Sequence, residues 1–233
     1  MWWPCLKSNK NGFLKEKMGS IIENNRKNYW DQIYDQRKSD ELGWYQSRPE
    51  DSLLMIDSCK LLKSDPIIDI GGGASLLTDH LLDDDYSDLT VLDVSENALS
   101  MTKQRLKEKN SRVTWIRTDI LDFRPTKKYE LWHDRACFHF LDKDDEIRVY
   151  ANLVRRALSE TGSLIVAAFS TEGPKKCSGL NVKQYNIKKL EKIFEGFNLV
   201  EFRHPTHFTP SGSEQNYVFC RFRVNPDHEI WNR

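Results

Sequence analysis

The sequence predicts an α/β fold in which helices cover both faces of a mostly parallel, doubly wound sheet that ends in an antiparallel hairpin. Short apolar runs of strand length alternate with segments whose apolar residues recur at helical intervals, which is typical of a parallel sheet with crossover helices. Three glycines, Gly71 to Gly73, follow the first of these runs. Two further strand-like runs near the C-terminus flank a loop rich in Pro, Thr, Ser and Gly, which predicts the hairpin.

The first half of the sheet is expected to hold three strands, with a helix after each of the first two. The first helix carries Leu76, Leu77, His80 and Leu81 at helical spacing. Ser95 precedes Ala98 by three residues and can cap the second helix, which is expected to run to about residue 109. The strands are predicted at residues 66–70, 89–93 and 113–116.

The second half adds a fourth strand, a long amphipathic helix and the most apolar strand, which is expected to be central and buried on both faces. A shorter helix then leads into the hairpin. These elements are predicted at residues 129–133, 142–158, 163–169 and 187–194, with the hairpin strands at 198–203 and 216–222.

The chain has 233 residues, of which 39% are hydrophobic, and this fits one domain with a core of ordinary size. The natural start is expected at either Met1 or Met18, because purine-rich codons for residues 15–17 would resemble a bacterial ribosome-binding site. The expected parts are a disordered tail at 1–19, a cap or lid at 20–60, the main domain at 61–224 and a tail at 225–233.

Composition argues against several classes of partner. The 35 Lys and Arg residues equal the 35 Asp and Glu residues, so the basic excess that nucleic-acid binding needs is missing. No apolar run approaches the roughly 18 residues that span a bilayer. The five cysteines are odd in number and scattered, which argues against a disulfide framework or a metal site. We expect a cytoplasmic protein with no nucleic acid, membrane or metal partner.

The glycine turn and two carboxylates indicate an adenosine site. Glycines after a buried strand let the backbone approach a ligand, and the next helix offers free N–H groups. Asp93 follows 20 residues after Gly73, where a carboxylate can accept hydrogen bonds from both ribose hydroxyls. Asp119, at the end of the third strand, can receive the amino group of adenine. Helix capping is the structural alternative for both aspartates.

S-adenosylmethionine and a nicotinamide dinucleotide both contain adenosine, and the turn distinguishes between them. A dinucleotide site favours G-x-G-x-x-G, whereas Leu76 takes the sixth position from Gly71. The amino acid end of S-adenosylmethionine needs polar partners instead, and Asp69 inside the first strand supplies one. The residues therefore favour S-adenosylmethionine.

The motifs Asp69-x-Gly71-x-Gly73, Asp93 and Asp119 resemble those of class I S-adenosylmethionine-dependent methyltransferases. Three blocks, at residues 29–34, 44–53 and 133–141, are similar to a group of small, mostly bacterial members with distant similarity to thiopurine-type and citrate synthase lysine methyltransferases. The resemblance implies a Rossmann-like fold and S-adenosylmethionine as cofactor. The implied cofactor-binding residues are Asp69, Gly71, Gly72, Gly73, Asp93, Val94, Asp119, Ile120, Asp134 and Trp44.

The acceptor is expected to be a small molecule or a protein side chain. Candidate catalytic residues follow the fourth strand, and a general base is needed only for a protonated acceptor. The structural alternatives are a pair between Asp134 and Arg135 and a core position for His139. The catalytic candidates are His133, Asp134 and His139, and the substrate candidates are Tyr45, Arg135, Cys177, Tyr185 and His207.

Two other functions stay open at this point, an NAD(P)-binding oxidoreductase and an adapter of the same fold that has lost its cofactor. The aromatic residues Trp30, Trp44 and Tyr45 precede the first strand in a charged segment. They predict either a lid that closes over the ligand or a helix packed permanently on the sheet.

Overall fold

A computed structural model describes residues 26–228 of the protein. Its main sheet has eight strands, and seven of them follow the order β3-β2-β1-β4-β5-β10-β8, with β9 paired to β10. A separate two-stranded sheet joins β6 to β7. The strands are β1 Ile67–Ile70, β2 Leu89–Asp93, β3 Val113–Arg117, β4 Tyr129–Arg135, β5 Leu158–Phe169, β6 Lys176–Cys177, β7 Leu180–Asn181, β8 Phe197–Arg203, β9 Thr206–Phe208 and β10 Glu214–Val224.

Six α-helices surround the sheet in the described part of the chain. Four short 3-10 helices, at Ser39–Glu41, Lys107–Arg112, Ile120–Asp122 and Phe138–Phe140, complete the helical structure there. The α-helices are α1 at residues 26–36, α2 Glu50–Ser58, α3 Leu77–Asp83, α4 Glu96–Leu106, α5 Asp144–Ala157 and α6 Ile187–Ile193.

The predicted fold class is confirmed. Strands β1 to β5 pair in parallel, whereas β10 runs antiparallel to both β5 and β8. Ser95 caps α4 by accepting the N–H of Ala98 at 3.1 Å. Two predicted boundaries were wrong. Helix α4 ends at Leu106 and continues as a 3-10 helix, and Leu158 begins β5 instead of ending α5.

Two apolar cores lie on opposite faces of the sheet. Alternate residues of a strand face opposite sides, so Leu131 of β4 joins the core with α2 and α3, and Trp132 joins the core with α5. The apolar residues of α5 recur at helical spacing, which turns one side of that helix to the sheet. Asp144, Asp145 and Glu146 occupy its first turn, where negative charge favours a helix N-terminus.

Helix α1 is attached to α4 through Asp31. Its Oδ1 accepts the Ser95 hydroxyl at 2.7 Å and the N–H of Asn97 at 3.2 Å. Arg117 at the end of β3 donates to the other oxygen at 3.2 Å. This places α1 across the carboxyl ends of β2 and β3. Several predicted parts lie outside the described residues. They are the tail at 1–19, both proposed starts, the first residues of the predicted cap or lid at 20–60, and residues 229–233 of the predicted tail at 225–233.

Candidate functional site

The glycine turn after β1 brings the backbone against the neighbouring strand ends. Gly71 has φ +68°, and a β-carbon there would lie 2.9 Å from the β-carbon of Cys137. A side chain at Gly72 would overlap the Asp69 carboxylate. Because both positions exclude a side chain, the turn leaves space along the carboxyl ends of the strands.

A main cavity opens beside this turn, at the carboxyl ends of β1 to β4. A smaller neighbouring cavity, the turn cavity, lies on the other side of Gly71 and is bordered by Asp69, Gly72, Tyr45 and His133. Trp44, Gly71 and Arg135 line both. The main cavity is lined by Arg26, Trp30, Tyr34, Trp44, Gly71, Leu92, Asp93, Val94, Thr118, Asp119, Ile120, Arg135, Ala136, Cys137, Phe140, Leu141, Cys177 and Leu180.

Asp93 fixes local structure and also borders the main cavity, and its contact with ribose stays a prediction. Its Oδ2 accepts the N–H of Gly73 at 3.0 Å and its Oδ1 accepts the N–H of Ser95 at 2.8 Å, so it fixes the turn and the start of α4. It also lines the main cavity, and each carboxylate oxygen keeps acceptor capacity. Burial raises the pKa of this carboxyl to about 6.

Asp119 lies across the main cavity from the glycine turn, at the end of β3. Its Oδ1 caps the following 3-10 helix by accepting the N–H of Leu121 at 3.0 Å. Its Oδ2 accepts from Arg26 Nη1 at 3.1 Å. Val94 and Ile120, the neighbours of the two aspartates, also line the cavity. The structure therefore brings together the four residues predicted for the adenosine part of a ligand.

Asp69 and Arg135 present unpaired charge to the turn cavity. Asp69 is buried, and its Oδ2 has no hydrogen-bond partner among the described residues. Arg135 donates from Nη1 to the carbonyl of Trp44 at 2.9 Å, whereas its Nε and Nη2 are buried and find no partner in residues 26–228. Buried polar groups are normally hydrogen-bonded, so these atoms have capacity left for a ligand.

Aromatic side chains from the N-terminal segment form one wall of the main cavity. The ring of Trp30 lies edge-on to Phe140 with 5.0 Å between centroids, and edge-on to Trp44 at 5.8 Å. Tyr34 contacts Trp44 at 5.9 Å. Trp44 therefore packs against two other aromatic rings and also lines the main cavity.

The loops after β4 and β5 supply cavity residues that the sequence reasoning missed. Cys137, Phe140 and Leu180 line the main cavity together with the predicted Cys177. Burial raises the pKa of the Cys177 thiol to about 11, and it also raises that of Cys137. Both groups are neutral thiols near pH 7. The close approach of Cys137 to Gly71 depends on the loop that follows β4, which no local pattern indicated.

The predicted role of Asp134 in catalysis and cofactor binding is not supported, because its side chain faces away from both cavities. It lies on the same face of β4 as Trp132. Its Oδ1 accepts the N–H groups of Cys137 and Phe138 at 3.1 and 2.9 Å, and its Oδ2 accepts the Tyr150 hydroxyl at 2.7 Å. Asp134 therefore holds the loop after β4 by hydrogen bonds from the side of β4 that faces away from the two cavities.

Three further candidates do not line the main or the turn cavity. His139 is fully buried against Phe169, whose N–H donates to its Nδ1 at 3.3 Å, and burial lowers the pKa of the imidazole to about 3. Tyr185 packs against Phe138 and lines a separate groove beside α5 and α6. His207 bonds through Nε2 to the carbonyl of Gly43 at 3.0 Å and so holds the segment that carries Trp44.

His133 does reach the turn cavity, but both of its ring nitrogens are engaged. Nδ1 lies 2.7 Å from Asp69 Oδ1, and Nε2 lies 2.9 Å from the hydroxyl of Ser52. A histidine with both nitrogens occupied is poorly placed to take a proton from an acceptor. Among the described residues, no group of three or more His, Cys, Asp or Glu side chains could hold a metal ion. No helix within residues 26–228 is long and apolar enough to cross a membrane.

Residues 67–162 match the protein family described as Methyltransferase domain. The matched stretch begins with β1 and contains the glycine turn, Asp93 and Asp119. This part of the chain is similar to a methyltransferase domain. The order of the parallel strands and the position of the glycine turn agree with this match.

Curated relatives match this chain over part of its length. It is 22% identical over 143 residues to an eEF1A lysine and N-terminal methyltransferase from Bos taurus. This match covers 59% of the chain and 19% of the relative. The Mus musculus protein of the same name is 24% identical over 144 residues, with the same coverage. The chain therefore spans about a fifth of the length of these relatives.

Solved structures share the fold over most of the chain. A S-adenosylmethionine-dependent methyltransferase from Anabaena variabilis has a TM-score of 0.67 at 14% identity, and the match covers 88% of this chain and 95% of that one. The N-methyltransferase NodS from Bradyrhizobium japonicum, crystallised with S-adenosylhomocysteine, has a TM-score of 0.63 at 18% identity, covering 83% and 97%.

Proposed function

We propose that the protein is an S-adenosylmethionine-dependent methyltransferase, which acts on a small, largely apolar acceptor that offers an unprotonated nitrogen or sulfur. The observation that carries the proposal is the lining of the main cavity. Its only carboxylates among the described residues are Asp93 and Asp119, at the ends of β2 and β3, and no described histidine lines it. Apart from Arg135, the lining residues from β4 onward are apolar.

The residues present fit S-adenosylmethionine. The free Asp69 Oδ2 and the free nitrogens of Arg135 carry opposite charges and line the same turn cavity, which suits the ammonium and carboxylate groups of an amino acid. Asp93 would accept from the ribose hydroxyls, and Asp119 from the amino group of adenine. Gly71, Gly72 and Gly73 keep the path between these groups open, and Val94, Ile120 and Trp44 line it.

The bound cofactor supplies a methyl group on a sulfonium, which is a strong electrophile. The protein's task is then to orient the acceptor and exclude water. Trp30, Phe140, Cys177 and Leu180 are placed for this task, because they line the main cavity on the side away from Asp93 and Asp119. The raised thiol pKa keeps Cys177 uncharged, so it contributes apolar surface to the acceptor site.

The same lining argues that no side chain removes a proton from the acceptor. Both oxygens of Asp134 and both ring nitrogens of His133 are already hydrogen-bonded. An acceptor that presents a free lone pair at neutral pH needs no general base. Catalysis by positioning is therefore sufficient for an acceptor of the proposed type.

Helix α1 favours a small acceptor over a protein side chain. Arg26 bridges Asp119 and Glu146, and the Tyr29 hydroxyl donates to the carbonyl of Ser178 in the β6–β7 turn. These contacts place the helix over the main cavity from β3 to β7. A small molecule can be enclosed in this way. A protein acceptor would have to insert one side chain while its backbone stayed outside the cavity.

Incubation of a cell lysate with the protein and methyl-labelled S-adenosylmethionine, followed by separation by size, tests the proposal. We expect label in the small-molecule fraction with the wild-type protein and a strongly reduced signal with Asp93→Ala. Label confined to protein-sized fractions would contradict the proposed acceptor class and favour a protein acceptor.

A further inference from the structure

Ser52, His133 and Asp69 form a continuous buried chain from the N-terminal cap to the first strand. Ser52 lies on α2 and is 1% exposed, His133 lies on β4 and is 2% exposed, and Asp69 lies on β1 and is 4% exposed. The two links measure 2.9 Å, from Ser52 Oγ to His133 Nε2, and 2.7 Å, from His133 Nδ1 to Asp69 Oδ1.

The proton positions in this chain follow from the chemistry of its members. An ionised carboxylate only accepts hydrogen bonds, so Nδ1 of His133 donates to Asp69 Oδ1. With a single proton on the ring, held at Nδ1, Nε2 accepts the Ser52 hydroxyl. Each member therefore fixes the rotation of the next, in the way that a buried carboxylate and histidine orient each other at many sites.

The hydrogen bonds among these three side chains determine which carboxylate oxygen of Asp69 is available to a ligand. Parallel pairing sets Asp69 beside His133, on the same face of the sheet. The bond to His133 uses Oδ1, and Oδ2 stays without a partner among residues 26–228, at the edge of the turn cavity. Gly72 leaves the space around Oδ2 open, because a β-carbon there would overlap this oxygen.

We propose that His133 and Ser52 are positioning residues, which hold Asp69 so that its free oxygen receives the ammonium group of the cofactor's amino acid end. This inference rests on the proposed binding of S-adenosylmethionine by Asp69. It assigns His133 to cofactor recognition instead of proton transfer. It also gives α2, a helix of the cap, a direct influence on cofactor affinity.

The test compares two ligands that differ only at the amino acid end. S-adenosylhomocysteine carries the ammonium and carboxylate groups, whereas 5′-methylthioadenosine lacks both and keeps the adenosine part. Ser52→Ala removes the last hydrogen bond of the chain, and Ser52→Thr restores a hydroxyl. Ser58→Ala is the matched control, since Ser58 lies on the same helix and bonds to Met55 and Glu201 instead.

Calorimetry is expected to show an affinity for S-adenosylhomocysteine that is about 3- to 10-fold weaker in Ser52→Ala, the effect of one buried hydrogen bond. Ser52→Thr recovers most of the loss, Ser58→Ala causes none, and His133→Gln lowers the affinity at least as far as Ser52→Ala. The affinity for 5′-methylthioadenosine stays unchanged in all four variants.

Two results with Ser52→Ala would overturn the positioning role and leave cofactor binding in place. They are an equal loss of affinity for both ligands and an unchanged affinity for S-adenosylhomocysteine. Failure of the wild-type protein to bind S-adenosylhomocysteine would instead overturn the proposed function, and this inference with it. Circular dichroism of each variant separates a loss of folding from a loss of positioning, and Ser52→Thr decides the matter if His133→Gln does not fold.

Discussion

Arg26 of α1 donates to Asp119 Oδ2 at 3.1 Å and to both oxygens of Glu146 at 2.8 Å. One guanidinium thus ties the helix over the main cavity to the end of β3 and to the start of α5. The side chain of Arg26 is 27% exposed, Asp119 6% and Glu146 11%, so solvent weakens this network only in part.

The N-terminal segment is expected to exchange amide hydrogens more slowly when ligand is bound. Helix α1 and residues 42–45 contribute Trp30, Tyr34 and Trp44 to the cavity wall, and a ligand in the cavity adds contacts to them. Hydrogen exchange of residues 26–52 with and without S-adenosylhomocysteine measures the effect. Equal protection in both states would show that the segment is packed permanently and would reject the lid.

Arg26→Ala is expected to speed exchange in α1 without ligand, because the ties to Asp119 and Glu146 are lost. Arg48→Ala provides the control, since Arg48 forms an exposed pair with Glu50 outside the cavity. Exchange rates in α1 that are the same in Arg26→Ala as in the wild type would show that the aromatic contacts alone hold the helix.

Asp93→Ala is expected to weaken binding of S-adenosylhomocysteine by about 1.5–3 kcal/mol, or one to two decades in dissociation constant. The carboxylate would lose its ribose contacts, and the N–H groups of Gly73 and Ser95 would lose their acceptor. Asp88→Ala removes a carboxylate at the surface that pairs with Lys127, and it is expected to leave the affinity for S-adenosylhomocysteine unchanged. Calorimetry on folded protein checks both, and unchanged affinity in Asp93→Ala would remove the ribose assignment.

Gly71→Val is expected to abolish cofactor binding. A branched side chain at φ +68° strains the backbone and meets Cys137. Gly212→Val is the matched control, because Gly212 also has a positive φ, +82°, but has nothing within 4 Å of an added β-carbon. Both variants are expected to lose stability, because valine strains a backbone with positive φ, but only Gly71→Val is expected to lose cofactor binding. Normal binding by a folded Gly71→Val variant would make the turn purely structural.

Protonation of Asp134 is expected to contribute stability that is lost as the pH rises from about 4 to about 6. His139, whose pKa is lowered to about 3, contributes in the opposite direction over this range. Burial raises the pKa of Asp134 from 3.8 in the unfolded chain to about 6. The folded state therefore binds a proton in this range that the unfolded state has lost, and it gives up this advantage as the proton leaves. Asp93 acts in the same direction, since its pKa is raised to about 6 as well.

Asp134→Asn removes one of these two protons, so it is expected to make the slope of the unfolding free energy against pH more positive between pH 4 and 6. Urea unfolding at several pH values measures the slope in both proteins. A slope that is unchanged in the variant would show that Asp134 is already ionised below pH 4. In that case its three hydrogen bonds outweigh its burial.

The sequence predicted those parts of the site that depend on strand ends. Gly71, Asp93 and Asp119 each follow a strand, and parallel pairing brings strand ends to one edge, so their assembly could be inferred. The orientation of Asp134 could also have been predicted, because Asp134 lies two residues from the apolar Trp132 on the same strand and must share its face.

Other features depend on contacts between distant segments, which local patterns do not encode. The bond from His207 to Gly43 links residues 164 positions apart. Cys137 and Phe140 reach the cavity because the loop after β4 is held by Asp134 from behind. Tyr185 was predicted for the acceptor site, but it pairs with Ser170 and lines the groove beside α5 and α6.

Calorimetric titration of the purified protein with S-adenosylhomocysteine and, in parallel, with NADH distinguishes the proposed cofactor from a nicotinamide dinucleotide. Leu76 stands where a dinucleotide turn needs a small residue, and the free atoms of Asp69 and Arg135 suit an amino acid end. We therefore predict saturable binding of one S-adenosylhomocysteine per chain and no binding of NADH. Saturable binding of NADH, or no binding of S-adenosylhomocysteine, would contradict this prediction.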